Sequence, residues 1–360
     1  MNDRSQSGVL EATRLTVAGQ LVEATDLLQR LLCSEHFDFE RGISGRPERP
    51  LAQALNLTPN GGEFINETYT SEAGSRTYRL FIPSRYRGQA LPLVVMLHGC
   101  IQSPEDFAAG TRMNMLAEEQ NCFVVYPAQC ATANPTKSWN WFQPDHQRRD
   151  EGEPSLIAGI TRQIMNDYAI DARRVYVAGF SAGAAAATIM GVTYPDLYAA
   201  IGVHSGLICG AANDLPSAFA AMRHGEPTAI DVPAACAESV GALRRLVPTI
   251  VFHGDRDTTV HPRNSDHVIA QSKSKAPTSQ DLRTIVEKSQ IRDGFDYSRT
   301  LHTDAQGRVI LEQWVVHEAG HTWSGGCATG SFTDGRGPDA SREMLRFFLE
   351  HRHPAAAPGA

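Results

Sequence analysis

The run RVYVA at 174–178 leads through Gly179-Phe180-Ser181-Ala182-Gly183 directly into AAAATIMGV. The first part is β-rich and the last is a strong helix former. This G-x-S-x-G stands at a strand-to-helix junction, the context in which the motif carries chemistry. A serine on so tight a turn takes strained backbone angles, and glycines at the flanking positions leave room for it. Its Oγ then projects above a sheet, beside a helix N-terminus that favours developing negative charge. A chain that keeps this turn must supply a sheet and helices to cover it.

The rest of the sequence does so. Short apolar runs at Thr77–Ile82, Leu93–Leu97, Cys122–Tyr126, Val175–Ala178, Ala200–His204, Thr249–His253 and Ile310–Val316 alternate with helical segments. That alternation predicts an α/β fold, mainly a parallel sheet flanked by helices. LVVML and TIVFH are continuously apolar, as expected of central strands covered on both faces. Asp339 is placed to cap a last helix through ASREMLRFFLEH.

The 360 residues suggest one large domain or two. Residues 1–33 are expected to form a helical extension, with Leu10, Ala12, Leu15, Ala18, Leu21, Ala24, Leu28 and Leu31 at helical steps around Gly19. The pattern looks like a single tetratricopeptide-type pair, and it offers a face for packing on the main domain or for homo-oligomer formation. Residues 34–63, rich in proline and glycine, read as a linker. A catalytic domain follows over 64–353, with a flexible tail at 354–360. Net charge is −7, from 33 basic and 40 acidic residues, so nucleic acid is not an expected partner. No run approaches the roughly 20 apolar residues of a membrane span, and the first 30 residues do not read as a secretory signal. The expected location is cytoplasmic. Seven cysteines, an odd number with no C-x-x-C pair, do not form a disulfide framework.

A nucleophilic serine needs a base, and the base an orienting acid, in the order Ser, Asp, His for this architecture. After TIVFH come Asp255 and Asp257; Asp257 is favoured because it lies past the tight turn that holds Asp255. After LEQWVV come His317 and His321; His321 is favoured because it is clear of the strand and follows Gly320. HEAGH also spells H-E-x-x-H. A zinc site would need both imidazoles on one helix face, whereas here a strand precedes the motif and Gly320 breaks it. No metal and no organic cofactor are expected. The oxyanion donors are assigned to the amide of Ala182, after the nucleophile, and to that of Cys100, in the His98-Gly99-Cys100 loop after an early strand.

LHGCIQSPEDF, YPAQ, WNWF, GFSAGAAAA, HSGL, HGDRDTTV and GHTWSGG, taken together over about 66–350, resemble the esterases related to polyhydroxybutyrate depolymerases. The resemblance implies an α/β-hydrolase fold with Ser181 as nucleophile, Asp257 as acid, His321 as base and the amides of Cys100 and Ala182 as oxyanion hole. It further implies a polyester or small-ester substrate: short-chain polyhydroxyalkanoate or its oligomers, with feruloyl, acetyl or other small esters as the alternative. Trp139, Trp141, Phe142 and Trp323 fall in loops that, by resemblance, line an acyl or polymer-chain cleft, Trp323 being the favoured wall. Packing of the loop alone is the competing role for the WNWF tryptophans. Family members often pair a cysteine before WNWF with that of HGC. Here Ser138 holds that place and Cys130 lies upstream, which leaves a Cys100–Cys130 bridge open and favours a reducing compartment. Secretion is the alternative by family analogy.

Overall fold

The computed structural model describes residues 57–226, 245–274 and 282–354. The expected helical extension at 1–33, most of the linker and nearly all of the tail lie outside these residues.

Ten strands form one sheet. In chain order they are β1 (Glu63–Ser71), β2 (Gly74–Ile82), β3 (Leu91–Leu97), β4 (Phe123–Pro127), β5 (Ile170–Phe180), β6 (Ala200–His204), β7 (Thr249–Gly254), β8 (Arg283–Gln290), β9 (Asp296–Thr303) and β10 (Val309–Val316). Their spatial order is β1-β2-β4-β3-β5-β6-β7-β10-β9-β8. The six from β4 to β10 run parallel, and antiparallel hairpins β1–β2 and β8–β9 extend the two edges. This is the α/β-hydrolase arrangement. The seven strands read from the sequence are present; β1, β8 and β9 are additional. All eight residues of β8 are exposed, so no apolar face marks it as a strand.

The helices are α1 (Pro104–Thr111), α2 (Met113–Gln120), α3 (Gly152–Asp167), α4 (Ala182–Thr193), α5 (Leu215–His224), α6 (Arg263–Lys273) and α7 (Ala340–Glu350). Leu93, Val95 and Leu97 of β3 enter one core, and Val94 and Met96 enter another across the sheet. Period-two side chains thus feed two buried faces, which is why the strand is apolar throughout. In α4 every residue except Val192 is buried. Its alanines and glycines let the helix lie close to the sheet at the point where Ser181 emerges. The Asp339 carboxylate accepts from Arg342 N and starts α7, as its sequence position predicts. No helix of the described residues is long and apolar enough to cross a membrane.

Candidate active site

Ser181 ends β5 and starts α4 with φ 55° and ψ −118°, a conformation that costs a non-glycine residue about 1–3 kcal/mol. The surroundings over-determine it. Ser181 N donates to His204 O at 2.9 Å, and a Cβ on Gly179 would lie 2.2 Å from Gly183 O. Only glycine closes this turn.

Asp257 lies in the turn after β7. Asp257 is buried; its Oδ1 accepts from Thr259 N at 2.9 Å and Val260 N at 2.8 Å, and its Oδ2 lies 2.6 Å from His321 Nδ1. His253 Nε2 stands 3.3 Å from the same Oδ2 and 2.8 Å from Val260 O. Burial alone would push this carboxyl up; the adjacent His321 imidazole and the bonds from His253 and His321 outweigh burial and hold it far below the usual carboxylate range. Asp257 thus engages His321 through Nδ1, leaving the ring's other nitrogen on the side that faces the cavity.

Ser181, His321, Cys100 and Ala182 line one cavity of about 790 Å³, measured with its open mouth. Its other walls are mainly apolar: Trp141 and Phe142, Leu207, then Leu215, Ala218, Phe219 and Met222 of α5, with Val260 and Phe332. Trp141 lines the cavity. Trp139 and Trp323 do not reach the cavity. Trp139 is buried and donates its indole N–H to His98 O at 3.0 Å. Trp323 is buried against Phe107, Phe180 and His204 and donates to Ser341 Oγ at 3.0 Å, so the wall assigned to it is a core position. The α5 wall carries no motif and was not identified from the sequence.

The loop carrying Cys100 is held from several sides. Gly99 N donates to Gln102 Oε1 at 2.9 Å, and Ile101 N to Thr136 O at 2.7 Å. Behind Thr136 a buried carboxylate, Glu153 on α3, accepts from Asn140 N and Asn140 Nδ2, both at 2.8 Å, and from Gln129 Nε2. Glu153 ties WNWF, through Gln129, to the loop carrying His98 and Cys100, yet in sequence it is only an acidic residue in a helix's first turn. Cys130 is a free thiol, so it makes no bridge to Cys100.

His98 takes the Gln129 amide at Nε2, at 3.1 Å, and lies 2.7 Å from Gly99 O through Nδ1. Burial lowers its pKa from 6.5 to about 4. A histidine lowered on folding contributes stability that is fully present above its unfolded pKa and is lost as protons bind at lower pH. The melting temperature should therefore fall as pH drops from 6.5 towards 4. Thermal melts across that window check this, and a flat profile would contradict it.

Asp255 and His317, the competing acid and base, pair with each other at 2.9 Å away from the cavity. Between His317 and His321 the chain is not helical, since Glu318 has φ 60°. Among the described residues no group of three or more His, Cys, Asp or Glu side chains is placed so that it could hold a metal ion.

Residues 76–276 match the sequence model described as esterase PHB depolymerase, a span that holds Ser181 and Asp257. The chain is 31% identical to poly(3-hydroxyalkanoate) depolymerase C of Paucimonas lemoignei, over 67% of this chain and 56% of that protein. It is 27% identical to feruloyl esterase B of Thermothelomyces thermophilus, over 50% and 64%, and 27% identical to acetylxylan esterase A of Aspergillus ficuum, over 48% and 58%. It thus spans less than two thirds of the length of each of these relatives. Among solved structures, an acetyl xylan esterase from Aspergillus awamori superposes with a TM-score of 0.60 at 19% identity, covering 79% of this chain and 99% of that one.

Proposed function

The chain belongs to the esterase PHB depolymerase family, and from that membership we propose that it is a serine carboxylic ester hydrolase acting on short-chain polyhydroxyalkanoate or its oligomers. The observation that carries this reading is the 2.6 Å Asp257–His321 pair opening, with Ser181, into an apolar cavity. His321 Nε2 takes the Ser181 proton as Oγ adds to the ester carbonyl. The oxyanion is held by the Cys100 and Ala182 amides. Its collapse breaks the ester C–O bond, and His321 returns the proton to the departing alcohol. Water, deprotonated by His321, then cleaves the acyl-serine and regenerates the enzyme. Among the described residues no Lys, Arg, Asp or Glu side chain lines the cavity, which suits an uncharged acyl group.

Relatives named feruloyl and acetylxylan esterases support a second reading, a feruloyl, acetyl or other small-ester esterase, and the aromatic walls at Trp141, Phe142, Phe219 and Phe332 suit the aryl acid of a feruloyl ester. A turbidity assay on amorphous polyhydroxybutyrate, with Ser181→Ala as the blank, separates the two. Serine-dependent clearing is expected. Folded protein that leaves the suspension turbid but hydrolyses feruloyl or acetyl esters would overturn the polymer reading.

A further inference from the structure

The acid loop and the base loop meet at a second place besides Asp257 and His321. Asp255 Oδ2 lies 2.9 Å from His317 Nδ1, and Asp255 Oδ1 accepts the Glu318 amide at 2.7 Å. The other ring nitrogen, His317 Nε2, is 2.9 Å from Ser298 Oγ on β9. Two backbone bonds of 3.0 Å join the same segments, from Asp255 N to Val316 O and from Arg256 N to Ala319 O. The loops touch closely: a Cβ on Gly254 would lie 2.3 Å from Ala319 O and 2.6 Å from Gly320 O.

Glu318 is where the base loop turns. Its φ of 60° is left-handed, at a cost of roughly 1 kcal/mol for a residue with a Cβ. One carboxylate holds both the amide of this strained residue and the imidazole before it, and so fixes the direction in which 319–321 leave the sheet. The acid loop therefore grips the base loop twice, with Asp255 on 317–318 and Asp257 on His321.

We propose that Asp255 and His317 are positioning residues that set the reach of the His321 ring to Asp257 and Ser181 without touching substrate. The proposal rests on the reading of His321 as the base. A separate nucleophile at Ser298 is disfavoured, because that serine sits within the ladder opposite Lys288 and Val315, with no strand-to-helix turn behind it.

Asp255→Ala removes both acceptors. Asp255→Asn keeps an oxygen for the Glu318 amide and presents its NH₂ to His317 Nδ1; the ring meets it by carrying its proton on Nε2 and donating to Ser298 Oγ. With active sites counted by phosphonate titration, Asp255→Ala should lower kcat about tenfold with little change in KM, and Asp255→Asn should recover most of the loss. A readout free of substrate is the downfield proton resonance of the Asp257–His321 bond, identified by its loss in His321→Ala. It should shift or broaden in Asp255→Ala and return in Asp255→Asn. Parental kcat and resonance in the alanine variant, or an asparagine variant as impaired as alanine, would overturn the proposal. Should Ser181→Ala hydrolyse ester as fast as the parent, the reading of the site fails, and the resonance still decides the positioning role.

Discussion

Asp257→Asn is expected to lower kcat by about 10⁴-fold while leaving the fold intact. The reason lies in which oxygen has which partners. Oδ1 accepts two backbone amides, Thr259 N and Val260 N, so the asparagine oxygen is pinned on that side. The NH₂ must then take the place of Oδ2, facing His321 Nδ1 across what is now a 2.6 Å contact. Two donors cannot share that space. The imidazole responds by carrying its proton on Nε2, the tautomer that cannot accept from Ser181. Steady-state kinetics beside a thermal melt provide the check, and a loss below about tenfold would remove Asp257 from the triad. Asparagine at 257 thus destroys function while asparagine at 255 is tolerated, two positions apart in the same loop. The difference follows from the partner histidine: His317 can change tautomer at no cost to turnover, and His321 cannot.

Gly183→Ala should be nearly as damaging by a different route. A Cβ there would lie 2.1 Å from Leu97 O and 2.5 Å from His98 O, distances at which backbone must move. Leu97 and His98 cannot yield easily, because β3 lies between β4 and β5 and the His98 carbonyl also accepts the Trp139 indole. The first turn of α4 must lift instead, carrying the Ser181 and Ala182 amides away from the Cys100 loop. A displacement of this order should cost at least about 10²-fold in kcat/KM, together with roughly 3 kcal/mol of stability. Kinetics and denaturant melts of the variant measure both. Parental activity would mean that this helix does not fix the oxyanion geometry.

What could be read from the sequence was whatever a short segment encodes by itself. Ser181 needs its glycines within two residues, and the apolar runs of β3 and β7 announce strands buried on both faces. Asp257 and His321 follow from chain order and from their distance past a strand end. Trp323 could not be placed, because an indole two residues from the base has the same local signature whether it faces the cavity or packs on Phe107 and His204. Glu153 was invisible for a related reason: its partners Gln129 and Asn140 are 24 and 13 positions away, and nothing in GEPSL marks a buried carboxylate. The wholly exposed β8 lacked the periodicity that pattern reading depends on.

Chemistry and taste have separate addresses in this molecule. The reacting groups leave the sheet at β5, β7 and β10, whereas Leu215, Ala218, Phe219 and Met222 belong to α5, in the connection between β6 and β7. Residues in that excursion can be exchanged without disturbing a strand register or a triad bond. If the proposed esterase reading holds, relatives that share Ser181, Asp257 and His321 are free to differ in the acids they release, and α5 is a wall that can be rewritten to redirect that choice.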